Sequence, residues 1–122
     1  MLQQIPRLET SATRIGGANA IAVAGELDIE TAPQLGEEVE LAVWSTVGAF
    51  VLDLRGLTFI DSSGLHALLR ARAFLAREDR SLVLVCPPGP VRRVLDLASV
   101  LDTFVTYPSA EAAAAALVPA DD

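Results

Sequence analysis

Ala49-Phe50-Val51-Leu52-Asp53-Leu54, then Arg55-Gly56-Leu57-Thr58-Phe59-Ile60, then Asp61-Ser62-Ser63-Gly64: the fold class turns on this stretch. Its first six residues hold no polar side chain before Asp53, the pattern of a strand covered on both faces. Asp61-Ser62-Ser63-Gly64 supplies capping chemistry and opens a helix expected to reach about Asp79. Leu65, Leu68, Leu69, Leu75 and Ala76 make its expected apolar face, with Arg72 in mid-stripe, where its stem would have to snorkel past the sheet edge.

Downstream, the same alternation repeats. Residues 81–85 read as a buried strand, Pro87-Pro88-Gly89-Pro90 breaks the chain, and a short helix spans 91–99 with Pro90 at its start. Residues 104–107 read as a final strand. Ser109 caps an alanine-rich helix ending near Val118, and residues 119–122 form a frayed acidic tail. Upstream, residues 20–24 make a short apolar strand stopped by Gly25, preceded by the turn Gly16-Gly17-Ala18-Asn19 and a hairpin partner over 8–13. Leu35, Val39, Ala42 and Val43 give one apolar face of a helix over 31–45, with Thr31 as its cap, Pro33 in its first turn and Glu37, Glu38 and Glu40 off the stripe. Strands separated by helices imply an α/β fold with a largely parallel sheet, mixed because the first two strands are hairpin-linked. One domain over 1–122 is expected, with its core at 8–117.

Composition narrows the function. The chain has 122 residues, 52% hydrophobic and 20% charged, with mean hydropathy +0.43, enough apolar surface for a real core. A net charge of -7 and a pI near 4.5 argue against binding nucleic acid or anionic lipid. All nine basic residues are arginines, so neither a Schiff-base lysine nor a P-loop lysine is available. A single cysteine, Cys86, rules out an internal disulfide and Cys-rich zinc sites, and reads as buried packing. No other metal-ligand spacing or cofactor loop is present, so no metal and no cofactor is expected. No run is long enough to span a membrane, and Met1-Leu2-Gln3-Gln4-Ile5-Pro6-Arg7 lacks the basic start and apolar run of a secretory signal, so a cytoplasmic location is expected.

Polar residues crowd one strand-to-helix junction, Asp61-Ser62-Ser63-Gly64. Capping alone explains such a cluster. A seryl hydroxyl there is also a candidate phosphoacceptor, because the free N–H groups of a helix start tolerate an anion. His66 follows Ser62 by one turn and Asp61 is adjacent, which supplies the residue types of a hydrolase triad. Ile60, however, stands where a nucleophile elbow needs glycine, so no enzyme is expected. Asp28, in Gly25-Glu26-Leu27-Asp28, is either a cap or a recognition carboxylate.

Gly25-Glu26-Leu27-Asp28, Val51-Leu52-Asp53-Leu54, Phe59-Ile60-Asp61-Ser62-Ser63-Gly64-Leu65 and Val91-Arg92-Arg93-Val94-Leu95-Asp96-Leu97 together resemble the STAS domain of anti-sigma factor antagonists. The resemblance runs from about Leu8 to Leu117. It implies a mixed, mostly parallel sheet with about four helices mainly on one side, and an acceptor serine at Ser62, with Ser63 as the rival. Asp28, Asp61, Ser63, Gly64 and His66 would share the partner-binding surface. It further implies a partner that is both anti-sigma factor and serine kinase, which the unmodified protein binds to free a sigma factor. Phosphorylation ends that binding and a serine phosphatase restores it; neither nucleic acid nor membrane is contacted. Other members of the family act as stressosome scaffolds or as subunits of membrane lipid-transport complexes. Two departures stand out: His66 replaces a small residue, and Ser99 replaces a glycine after the third helix.

Overall fold

The computed structural model describes residues 6–117. Strand β1 (Leu8–Ile15) turns through Gly16 and Gly17, at φ 60° and 84°, into β2 (Ala18–Leu27). Two consecutive positive φ angles are the geometry of the two-residue hairpin turn, which explains the glycine pair. Then come α1 (Ala32–Trp44), β3 (Phe50–Ile60), α2 (Ser62–Arg77), β4 (Leu82–Val85), α3 (Pro90–Leu97), a 3-10 turn at Leu101–Thr103, β5 (Val105–Tyr107) and α4 (Ala110–Ala116). The sheet order is β1-β2-β3-β4-β5, antiparallel between β1 and β2 and parallel elsewhere.

The core on one face joins Ile21, Phe50, Leu52 and Leu84 of the sheet to Leu35 and Val39 of α1, Leu68 and Leu75 of α2, and Leu95 of α3. On the opposite face α4 lays Ala113 against Val51, Val83 and Val85. The expected placement of helices mainly on one side holds, with α4 the exception. Ser109 caps α4 as expected, accepting from Ala112 N–H at 3.0 Å. Val118 and the expected tail at 119–122 lie outside the described residues.

Three strands outrun their expected lengths, β1 by continuing from Thr13 to Ile15. β2 continues past Gly25 to Leu27, and β3 runs to Ile60 instead of stopping at Leu54. Register shifts between Ala22 and Ala24, and again between Gly25 and Glu26, let the pairing continue. Gly56 permits the first shift: a Cβ there would come within 2.8 Å of the Ala24 Cβ. A bulge resets the in-out alternation, so the exposed pairs Arg55-Gly56 and Thr58-Phe59 between buried Leu54, Leu57 and Ile60 conceal the strand from a period-two reading.

The buried stripe of α2 also differs from expectation. It consists of Gly64, Ala67, Leu68, Ala71 and Leu75, while Leu65 and Leu69 are half-buried and Ala76 is exposed. Ala67 and Ala71 thus take inward positions that the leucine pattern does not reveal. Arg72 is exposed and needs no snorkelling. Ser99 adopts φ 59°, the conformation glycine would supply, and the hydrogen bonds from Val100 N–H to Leu95 O (3.1 Å) and Ser99 N–H to Asp96 O (3.0 Å) close α3 in the usual left-handed cap. The serine therefore leaves that turn intact. Arg80, after α2, donates to Val43 O, Thr46 O and Gly48 O at 2.7 to 3.0 Å, fastening the end of α1 to the start of β4.

Candidate functional site

Leu27 and Ile60 are register partners at the ends of the parallel strands β2 and β3. The next residue of each strand is an aspartate, so Asp28 and Asp61 begin neighbouring turns at one edge of the sheet. Asp61 N–H donates to Leu27 O at 3.3 Å, tying the two turns together.

Asp61 caps α2. Its Oδ1 accepts from Gly64 N–H at 3.0 Å and its carbonyl accepts from Leu65 N–H at 2.9 Å. Gly64 is buried against the end of β2: a Cβ there would lie 2.6 Å from Leu27 O and 2.7 Å from Ile60 Cγ1. Ser62 is the first residue of α2 and exposed, whereas Ser63 is half-buried. His66 is exposed one turn further on. Among the described residues no hydrogen bond links Asp61, Ser62 and His66 side chains, and no group of three or more His, Cys, Asp or Glu is placed to hold a metal.

Asp28 is placed differently. It is buried, and its Oδ1 accepts from Glu30 N–H and Thr31 N–H at 3.0 and 3.2 Å while Arg7 holds Oδ2. Thr31 stands at the helix boundary expected for a cap, yet its hydroxyl makes no cap bond to α1. It turns back into the loop, accepting from Asp28 N–H at 2.9 Å and donating to Glu26 O at 2.8 Å. Asp28 is thus spent on the shape of its own turn. Arg7 also pairs with Glu26 and Glu30, each at 2.9 Å, and its hydrogen bonds to Glu26 and Asp28 raise its pKa.

Burial pushes the Asp28 carboxyl up, but the hydrogen bonds from Thr31, Arg7 and Glu30 outweigh it and hold the group below its ordinary value. A depressed folded-state pKa stabilises the fold above the unfolded value, near 3.9, and that contribution disappears as pH falls through the folded value. Urea midpoints of wild type and Asp28→Asn are therefore expected to differ at neutral pH and to converge below about pH 4. A gap of constant size down to the acid end would show that the charge of Asp28 contributes nothing.

Two exposed apolar side chains flank this edge. Ile29 is 73% exposed in the turn after Asp28, and Phe59, the register partner of Glu26, is 47% exposed beside Ile60. Neither is among the expected site residues. Ile29 could have been found, as a large apolar residue between Asp28 and Glu30 in a turn; Phe59 could not, because the bulge hides its orientation. Cys86 lies at the end of β4 and is buried as expected, and burial pushes its thiol up.

Comparison with known proteins agrees with this layout. Residues 9–113 match the family model described as STAS domain. An anti-sigma factor antagonist from Mycobacterium paratuberculosis superposes with a TM-score of 0.81 at 28% identity, covering 92% of this chain and 95% of that one. The Bacillus cell fate determinant SpoIIAA in its phosphorylated form gives 0.62 at 21% identity, over 88% and 99% of the two chains. A sulfate transporter family protein from Wolinella succinogenes gives 0.68 at 20% identity, over 81% and 85%. With the motif residues, the sheet order and a family match over most of its length in agreement, the chain belongs to the STAS domain family.

Proposed function

We propose that this chain is an anti-sigma factor antagonist. In this reading its unmodified form binds an anti-sigma factor that is also a serine kinase, and phosphorylation at Ser62 ends the binding. The observation that carries the reading is the exposure of Ser62 at the first position of α2, next to a cap that already holds the helix start without its hydroxyl. Ile29 and Phe59 supply apolar contact area around a polar centre, the composition of a protein-binding patch. A structural neighbour named as an anti-sigma factor antagonist, and another solved in phosphorylated form, support the same reading. The chain acts here as a substrate and ligand, not as an enzyme: the kinase moves the terminal phosphoryl group of ATP onto Ser62 Oγ, ADP leaves, and the hydroxyl proton passes to the kinase's base. A separate serine phosphatase hydrolyses the phosphoserine with water, releasing inorganic phosphate and restoring the hydroxyl.

The second reading, a regulatory subunit of a membrane transport complex or a stressosome scaffold, draws on the neighbour from a sulfate transporter family. No helix among the described residues is long and apolar enough to cross a membrane, so in that role the chain would dock on another subunit.

Intact-mass measurement after incubation with ATP and the candidate kinase separates the two. Wild type is expected to gain one phosphate and Ser62→Ala none. Equal uptake by both moves the acceptor to Ser63. No uptake by either favours the subunit or scaffold reading.

A further inference from the structure

α1 and α2 lie side by side over one face of the sheet and carry opposite charge. α1 holds Glu37, Glu38 and Glu40 and no basic residue; α2 holds Arg70, Arg72 and Arg77 and no acidic one. Between them runs a groove of about 410 Å³ with a floor that includes Gly36, Ala67 and Ala71, rimmed by Glu40 on one side and by Arg70 and Arg77 on the other. Although Glu40, Arg70 and Arg77 share one groove, no ion pair joins α1 to α2 among the described residues. Trp44, 71% exposed, stands edge-on to Phe74, which lines the groove, with ring centres 6.4 Å apart.

We propose that this groove is the interface of a symmetric dimer with a second copy of this chain, its two-fold axis running along the groove. The helices run side by side in the same direction because each connects neighbouring parallel strands in the same sense. A two-fold rotation about an axis along the groove exchanges left and right but preserves height. Each acidic α1 then lies on the partner copy's basic α2, and the contact occurs twice. Glu40 meets Arg70, because both already line the groove, and Trp44 meets Phe74 and the Arg77 guanidinium, which stands 5.9 Å from the Phe74 ring centre. An axis across the helices would set glutamate on glutamate and arginine on arginine. That contrast selects a second copy in this one orientation. The overall charge of -7 opposes association, but salt screens it beyond about 8 Å, whereas the groove pairs touch. Ser62 does not line the groove, so both copies keep that hydroxyl free, at the same end of the assembly.

Sedimentation of the full chain, read together with fluorescence of its single tryptophan, tests the interface. Wild type is expected to dimerise with rising concentration and to shift Trp44 emission to the blue as the ring leaves water. Arg70→Glu/Arg77→Glu and Glu37→Arg/Glu40→Arg are each expected to weaken the homodimer by roughly tenfold or more, since every reversal acts twice. Mixing the two variants is expected to restore a dimer, because an all-acidic face then meets an all-basic one. Circular dichroism checks that both remain folded. A wild type that stays monomeric at its highest soluble concentration overturns the proposal, as do variants that self-associate as well as wild type. If either variant loses its fold, the wild-type measurement decides alone: a dimer whose Trp44 emission does not move has its contact elsewhere.

Discussion

Ser62→Asp is expected to bind the anti-sigma partner roughly a hundredfold more weakly than wild type, with its melting temperature almost unchanged. The two halves of that expectation come from different physics. A phosphoserine carries about -1.5 to -2 charges near neutral pH, and aspartate imitates about half of that. One like-charge contact about 5 Å away at an effective dielectric of about 20 costs roughly 3 kcal/mol, which corresponds to about a hundredfold in affinity. Within the chain the same charge sits at the first position of α2, where unpaired N–H groups favour an anion by about 0.3–1 kcal/mol. Repulsion from Asp61 next door offsets part of this gain, so the fold barely responds. Calorimetric titration and a thermal melt measure the two halves separately. Unchanged affinity for the partner would remove Ser62 from the switch, and a large fall in melting temperature would mean that the fold, not the contact, was altered.

Gly64→Ala is expected to act on the fold itself, destabilising it by about 2–3 kcal/mol, a loss of roughly 10 °C in melting temperature. The added Cβ would stand 2.6 Å from the carbonyl oxygen of Leu27, a backbone atom that cannot swing aside. Relief requires the start of α2 to lift off the end of β2, carrying Ser62 and the Asp61 cap with it. Helix propensity alone predicts the opposite sign, about 1 kcal/mol in favour of alanine. Gly36, mid-way along α1, is the control, since a Cβ there meets nothing within 4 Å. Gly36→Ala is expected to stabilise by up to about 1 kcal/mol. Two Gly→Ala changes of opposite sign in one urea-denaturation series would separate packing from propensity. Equal signs would dismiss the clash.

The path of the chain was legible because apolar strands alternate with capped helices, and several breaks are marked by glycine or proline, as at Gly16-Gly17, Gly48, Pro87-Pro88-Gly89 and Pro108. Residues 81–85 and 104–107 read correctly as strands for that reason, to within a residue of β4 and β5. What stayed hidden depends on contacts remote in sequence. The second half of β3 carries no period-two signal because Gly56 shifts its register against Ala24. The face of α2 was misjudged because leucine outranks alanine in hydrophobicity, while the helix turns Gly64, Ala67 and Ala71 inward beside Leu68 and Leu75. At the site, Ser62 and Asp61 announced themselves through capping chemistry. The engagement of Asp28 with Arg7, 21 residues away, had no local signature at all.

Arg7 sets three carboxylates, those of Glu26, Asp28 and Glu30, around one guanidinium. Without that internal counterion the same groups form a nest of mutual repulsion beneath Ile29. The charge of the loop is therefore balanced by one residue lying ahead of the first strand. Editing of the N-terminal segment reaches the Asp28 turn directly, though it lies far from Ser62 along the chain.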